Sequence, residues 1–177
     1  MKHYISSILS NLRRISGRDL MLFLVVFALC LSLDLYTKTI VFSTDFSVLK
    51  ICNILNIVKV ENYGISFGLF ASSTIFIKKL IVIFNIVVCL CLFYLLSSKS
   101  NYRKPNVFLV AISMIISGAI GNVYDRIKFG YVRDFIDCHI FDKHWPAFNV
   151  ADSCICIGVG LWIILEILTN KTFNKQK

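Results

Sequence analysis

Charged residues are scarce in this chain, and their scarcity excludes an ordinary soluble domain. Only 16% of the 177 residues are charged, whereas 57% are hydrophobic and the mean hydropathy is +0.75. Soluble domains carry about 25% charged residues. The sequence also lacks low-complexity tracts and convincing internal repeats, which argues against a repetitive architecture. The composition therefore indicates a membrane protein.

Cysteine patterns typical of a disulfide framework are missing. The chain has seven cysteines, an odd number, with no Cys-x-x-Cys pair and no mixed His/Cys metal spacing. Five of them lie in or beside apolar segments, where a thiol behaves as a small apolar group. Cys52 and Cys138 lie on the same predicted side of the membrane and could in principle pair. The pattern as a whole predicts neither a disulfide framework nor a zinc site.

Recognised metal-binding motifs are also missing. His139 and His144 stand near Asp137 and Asp142, and these residue types can ligate a metal ion. Their spacing matches neither His-Glu-x-x-His nor a comparable ligand pattern. The sequence therefore predicts no metal site.

Four long apolar segments run through the chain. Each has roughly the 20 residues that a helix needs to cross about 30 Å of hydrocarbon. Because no water is available there, the backbone must satisfy its own hydrogen bonds, which favours helices. The predicted helices are residues 20–42, 74–96, 107–123 and 151–168.

The first apolar segment follows basic residues, as a cleaved signal peptide would. A lipoprotein signal with Cys30 as the modified residue is the alternative. However, Leu29 is not the small residue expected before a cleavage point, and the apolar run continues past Cys30. We therefore expect an uncleaved first helix.

One outer region differs from the helices. Residues 44–70 include Ile51–Val60, which is rich in Ile and Val and is typical of a strand or hairpin. The predicted fold is thus an all-α membrane protein of four transmembrane helices with a small β-containing cap on the outer face. It forms a single integral membrane domain over residues 1–177. Small-residue patterns, Ser117-x-x-x-Gly121 and Cys154-x-x-x-Gly158, suit close helix packing.

Basic residues concentrate in three regions. The N-terminal arm, the loop between segments two and three, and the C-terminal tail hold ten basic residues against one acidic residue. This asymmetry follows the positive-inside rule and places both termini and the middle loop in the cytoplasm. The net charge of +9 could suggest nucleic acid, but the distribution favours a topological role, with contacts to anionic lipids. Glu166 lies near the cytoplasmic end of segment four.

Two aspartates stand where the chain leaves and enters predicted membrane segments. Asp134 follows segment three, and Asp152 lies in the first turn of segment four. If these segments are antiparallel neighbours, both carboxylates reach the same outer mouth. Two close carboxylates share a proton, which acid–base hydrolysis of a peptide requires. Asp152 alone is also consistent with a helix cap.

Other polar residues cluster at the same depth. Asn122, Asp125 and Arg126 share one helical face, and their Asp–Arg pair is consistent with a structural role. Asp34 and Lys38 are four residues apart in segment one and can neutralise each other as a snorkelling ion pair.

Two alternatives to a hydrolase remain. Intramembrane polar residues also mark transporters and proton-coupled channels, but a conduction path would need polar groups through the midplane. Here the inner halves of segments two to four are nearly uncharged apart from Glu166. A non-catalytic membrane scaffold is the second alternative, and it would tolerate loss of Asp134 or Asp152.

Five blocks in order resemble the bacterial lipoprotein signal peptidases (signal peptidase II). They are Asp34-x-x-x-Lys38, Asn62-x-Gly64-x-Ser66-Phe67, Gly118-Ala119-Ile120-Gly121-Asn122-Val123-Tyr124-Asp125-Arg126, Val132-Arg133-Asp134-Phe135 and Phe148-Asn149-Val150-Ala151-Asp152.

The resemblance implies an intramembrane aspartic endopeptidase that cleaves prolipoproteins before a diacylglyceryl-modified cysteine. It implies Asp134 and Asp152 as the catalytic pair and no metal or organic cofactor. Substrate-binding or pair-supporting roles fall to Asn62, Gly64, Asn122, Arg126 and Asn149, and structural roles to Asp34, Lys38 and Asp125. We expect a monomer in the bacterial plasma (inner) membrane that contacts membrane lipids and no nucleic acid, with its active site near the outer face.

Overall fold

The computed structural model describes residues 16–64, 75–97 and 106–174, and these form a mostly helical protein with a small antiparallel sheet. The elements in chain order are α1 Gly17–Ser43, β1 Val48–Cys52, β2 Leu55–Asn62, α2 Ile75–Ser97, α3 Asn106–Phe129, β3 Val132–Ile140, β4 Lys143–His144 and α4 Val150–Asn174. Most of the N-terminal arm and residues 65–70 of the predicted outer region lie outside the described residues.

Three helices are long and apolar enough to cross a membrane. They are Gly17–Ser43, Asn106–Phe129 and Val150–Thr169. Within α2, the described apolar stretch Lys79–Leu92 is too short to meet this test. The protein is therefore a multi-pass membrane protein, and the fourth spanning helix stays a prediction.

The third helix is the centre of the bundle. In the most apolar stretch of this helix 72% of the residues are buried, against 11% in the corresponding stretch of α1 and 17% in that of α4. Its neighbours α1, α2 and α4 all pack against it. The buried apolar cluster joins Phe23, Leu92, Phe108, Leu109, Ile112, Ile115 and Ile116. Helices α1 and α4 carry many exposed large apolar side chains, as lipid-facing helices do.

Helix α3 is longer than the predicted segment 107–123, because it continues to Phe129. The sequence pattern ended the segment where polar residues begin. In the structure these residues have partners on neighbouring elements, so the helix can continue through them. The helix stops at Gly130, whose φ of 84° is a left-handed conformation suited to glycine.

The cap is larger than the predicted region 44–70. Its four strands lie in the order β1-β2-β3-β4, all antiparallel, and β3 and β4 come from a segment for which no strand was predicted. Both Cys52 and Cys138 pair in register with Leu55, so strand β2 separates them. Two strand spacings amount to about 9.6 Å, beyond the reach of a disulfide. Both thiols are free.

Candidate active site

Asp134 lies on β3 and is almost completely buried, with 1% of its surface exposed. Two side-chain amides donate to its carboxylate. Asn62 Nδ2 lies 2.8 Å from Oδ2, and Asn149 Nδ2 lies 2.6 Å from Oδ1. Burial and the nearby charge of Asp152 raise the pKa of Asp134 to about 7, against the lowering effect of the two amides and Lys38. A proton is therefore bound there over much of the neutral range.

Asp152 lies in the first turn of α4, as predicted. Its carboxylate accepts from Asn122 Nδ2 at 2.8 Å and from the Asn149 backbone N–H at 3.2 Å. The Asp152 backbone N–H in turn donates to Asn149 Oδ1 at 2.9 Å. This reciprocal pair caps the helix start, with Asn149 as the first partner. The Asp152 carboxylate can therefore take part in the helix cap and still accept a hydrogen bond from Asn122.

Asn149 joins the two carboxylates. Its side-chain amide donates to Asp134, while its backbone N–H donates to Asp152. Both aspartates also line one cavity of about 420 Å³. The full lining is Asn62, Asp134, Trp145, Pro146, Ala147, Phe148, Asp152, Ser153, Cys156 and Ile157. Two acidic groups from distant parts of the chain therefore face one largely apolar space.

A buried polar network lies behind this pair. Lys38 Nζ contacts Asp34 Oδ2 at 2.8 Å, Asn122 Oδ1 at 3.0 Å and Asp125 Oδ2 at 3.3 Å. Asp34 also accepts from the Ala151 backbone N–H at 2.8 Å, at the start of α4. Lys38, Asp34 and Asp125 are fully buried. The network thus connects α1, α3 and α4, and Asn122 links it to the Asp152 carboxylate.

Asp125 pairs with Arg133 as well as with Lys38, and not with its sequence neighbour Arg126. Arg133 Nη2 donates to Asp125 Oδ1 at 2.8 Å, and the Arg133 backbone N–H donates to Oδ2 at 3.1 Å. Its guanidinium lies 4.5 Å from the Phe129 ring centroid. Sequence reasoning gave Arg133 no role, and its only signal was its place beside Asp134. Arg133 and Lys38 are thus two buried cations that face two buried anions, Asp34 and Asp125, so the set as a whole is neutral.

Arg126 and Gly64 contact each other next to Asn62, and neither lines the cavity of the two aspartates. Arg126 Nη2 donates to the Gly64 carbonyl oxygen at 2.9 Å, and the Gly64 N–H donates to Asn62 Oδ1 at 3.0 Å. These contacts hold the turn after β2 against the end of α3. They also fix the Asn62 side chain so that its amide reaches Asp134. Ser66 and Phe67 of the same sequence block lie outside the described residues.

The chain matches one protein family along most of its length. The family model described as Signal peptidase (SPase) II matches residues 26–168. A lipoprotein signal peptidase of Sulfurihydrogenibium sp. (strain YO3AOP1) is 35% identical over 157 residues, covering 88% of this chain and 96% of that protein. A lipoprotein signal peptidase of Thermodesulfovibrio yellowstonii is 42% identical over 139 residues, covering 76% and 87%.

Solved structures give the same result. A bacterial membrane enzyme determined by the in meso method at 2.3 Å resolution matches with a TM-score of 0.73 at 30% identity, covering 94% of this chain and 97% of that chain. Another, at 1.9 Å resolution, matches with a TM-score of 0.68 at 30% identity, covering 88% and 96%. Family model, relatives and fold agree over most of the sequence, and this chain belongs to the signal peptidase II family.

Proposed function

We propose that this protein is an aspartic endopeptidase that removes the signal peptide from prolipoproteins, with Asp134 and Asp152 as its catalytic pair. One observation carries the residue assignment. Both carboxylates line the same cavity and are joined through Asn149. Membership of the signal peptidase II family supports the reaction, and the names of its relatives support a prolipoprotein substrate.

The proposed mechanism divides acid and base between the two aspartates. Asp134 is the more buried and holds the proton, because its pKa is raised to about 7. Asp152 acts as the base and takes a proton from a water molecule, whose oxygen attacks the scissile carbonyl carbon. Asp134 donates its proton to the carbonyl oxygen, which gives a neutral tetrahedral diol.

Collapse of the diol returns both protons. Asp152 passes the proton it gained from water to the leaving nitrogen, and the carbon–nitrogen bond breaks. Asp134 recovers a proton from a diol hydroxyl as the new carboxyl group forms. The pair is thus restored with one proton, and no other reactant is needed.

The surrounding residues position the pair. Asn62, Asn122 and Asn149 donate amide hydrogens to the carboxylates and so fix their orientation. Arg126 and Gly64 support the pair through Asn62, whose side chain their contacts hold in place. Asp34, Lys38 and Asp125 hold the helices below, and their buried contacts support a structural role.

The arrangement in the membrane follows from charge and hydropathy. We infer four spanning helices in the bacterial inner membrane, both termini in the cytoplasm, and the cavity near the outer face. A lipid-anchored substrate then reaches a monomeric enzyme by lateral diffusion within the bilayer, and the cleavage point is the bond before the diacylglyceryl-modified cysteine.

A conduction pathway has less support. The polar residues of α3 that contact Lys38, Asn122 and Asp125, lie near one end of the helix. The start of the described helix contributes Phe108, Leu109 and Ile112 to an apolar core. A proton path through this helix would lack charged side chains over that half, since the first charged residue of the helix is Asp125.

Replacement of each aspartate tests the proposal. Asp134→Asn and Asp152→Asn should each lower cleavage of a lipidated precursor by about two to four orders of magnitude, since general acid–base groups contribute at that level. Asp142→Asn is the matched control, because Asp142 is exposed in the turn between β3 and β4. Thermal melting in detergent would confirm that all three variants fold. Cleavage at the normal rate by Asp134→Asn would refute the assignment.

A further inference from the structure

Three potential metal-binding side chains meet on the cap, away from the catalytic cavity. Asp137 and His139 lie on β3, and His144 lies on β4. Each offers one donor atom, and the three donor atoms all lie within 4.8 Å of one another. Among the described residues, these three form the group of His, Cys, Asp or Glu side chains that is close enough together to hold a metal ion.

The strand register produces this meeting. His139 and His144 are directly opposite each other in the β3–β4 pair. Asp137 precedes His139 by two residues, so alternation along the strand places it on the same face. Lys143 and Cys138 fall on the opposite face by the same alternation, so neither a lysine ammonium nor a thiol competes at the cluster. Sequence spacing alone did not predict the cluster, because strand pairing creates it.

The three side chains of the cluster are already close to one another. The Asp137 carboxylate contacts His144 Nδ1 at 2.8 and 3.0 Å. The two imidazole rings are stacked, with centroids 4.9 Å apart and an interplanar angle of 18°. Adjacent ligands of a zinc ion are separated by about 3.4 Å, which follows from metal–ligand distances near 2.1 Å. The His144 side chain is 53% exposed and can rotate to close the remaining gap.

One ring nitrogen has no partner. Among the described residues, His139 Nδ1 is the buried side-chain nitrogen or oxygen atom that lacks a hydrogen bond. Leaving a buried polar atom unsatisfied costs about 1–3 kcal/mol, so native structures rarely keep one without a reason. A metal ion would satisfy a neutral imidazole nitrogen of this kind.

The carboxylate is suited to a cation as well. Asp137 is buried, and a neighbouring side chain holds its carboxylate. The Asn56 amide donates to Oδ2 at 3.0 Å and fixes the carboxylate, as supporting groups do around metal ligands. The carboxylate is therefore held in a fixed orientation beside the two imidazoles.

We propose that Asp137, His139 and His144 form a binding site for a divalent transition-metal ion of the zinc type. Two imidazoles and one carboxylate are the donor set that zinc takes in proteins, with water in a fourth position. The site is non-catalytic and fastens the β3–β4 hairpin. The segment after it leads straight to the cavity, because Trp145 follows His144 and lines the cavity wall.

Zinc titration of the purified full chain in detergent tests the proposal. The metal-free protein should bind one Zn²⁺ per chain in competition with a chromogenic chelator, and its melting temperature should rise. Co²⁺ should give the visible absorption of a tetrahedral site. His139→Phe keeps an aromatic ring but removes the nitrogen, and it should weaken binding at least about tenfold. His144→Phe should do the same.

His3→Phe is the matched control, because His3 is the remaining histidine of the chain and lies far away in the sequence. It should bind zinc as the unmodified protein does. Because cysteines also bind zinc, Cys52→Ser and Cys138→Ser are measured in parallel and should change nothing. The proposal is wrong if no stoichiometric binding occurs, or if binding survives His139→Phe and His144→Phe or is lost in either serine variant.

Discussion

At the residue scale, Asp134 experiences two opposed influences. Burial and the charge of Asp152 favour its protonated form, while amide hydrogen bonds from Asn62 and Asn149 favour the ionised form. The first influence is larger, so the pKa lies near 7 instead of near 4. A group poised there can exchange a proton at neutral pH.

The rate of cleavage should therefore depend on pH on the alkaline side. If Asp134 must be protonated to donate, kcat/KM should fall as pH rises through about 7. The loss should be tenfold per pH unit above that value. Initial rates on a lipidated fluorescent precursor from pH 5 to 9 measure it. A profile flat to pH 9 would contradict the role of Asp134 as the acid.

Asn62 should set the position of that profile. Its amide stabilises ionised Asp134, so Asn62→Ala should raise the pKa and shift the alkaline limb upward by about one unit, given about 1.5 kcal/mol for a hydrogen bond to a charged group. Asn56→Ala is the matched control on the same strand, because Asn56 donates to Asp137 instead. A downward shift in Asn62→Ala, or an equal shift in both variants, would exclude this positioning role.

At the element scale, the approach of α3 to α4 sets where Asp152 lies. A Cβ atom at Gly118 would be 2.3 Å from the Ala151 carbonyl oxygen, closer than any real contact. A Cβ at Gly121 would be 2.5 Å from Asp34 Oδ2. Glycine at 118 thus lets α3 approach α4, and glycine at 121 lets α3 approach Asp34 of α1.

Gly118→Ala should separate the helices and destabilise the protein by about 1–3 kcal/mol, the usual cost of overpacking. Because Ala151 precedes Asp152, cleavage should fall as well. Gly160→Ala is the matched control, since a Cβ there meets nothing within 4 Å and alanine favours a helix. Melting temperature in detergent and cleavage rate measure both effects. Equal stability of the two variants would argue against close packing at Gly118.

At the scale of the whole molecule, the orientation in the membrane can be measured. Cys52 is exposed on β1, in the cap assigned to the outer face. In a variant whose other cysteines are replaced by alanine, a membrane-impermeant maleimide should label Cys52 in cells with a permeabilised outer envelope. Lys99→Cys without Cys52 should be labelled only after lysis, because position 99 lies in the predicted cytoplasmic loop. The reverse pattern would invert the topology.

Substrate delivery through the bilayer is also testable. A precursor without its diacylglyceryl group should be cleaved at least about tenfold more slowly, because the acyl chains confine the substrate to the membrane plane and contribute apolar binding. The rates of the lipidated and unlipidated precursors are compared at the same total concentration. Equal turnover of both forms would remove the delivery argument.

Hydropathy predicted helices because a membrane span needs a long apolar run, and such a run is a local property. The helices begin close to the predicted segments, but α4 ends six residues beyond 168 and α3 ends six residues beyond 123. Local polarity marked the wrong end, since Asp125 is neutralised by Lys38 and Arg133 from other elements. Strand β3 had no local signal, because it owes its form to pairing with β2.

For the candidate site, too, local sequence and contacts between distant segments supplied different information. The order and identity of the polar blocks singled out Asp134, Asp152 and the three asparagines, and charge asymmetry indicated the orientation. No pattern in the chain could predict that Asn149 contacts both carboxylates, that Arg133 pairs with Asp125, or that His139 stands opposite His144. The sequence by itself thus determined residue chemistry and membrane class, because both follow from composition and local order. Tertiary structure alone decided which groups meet, because hydrogen bonds and ion pairs between distant segments exist only after the helices and strands have packed.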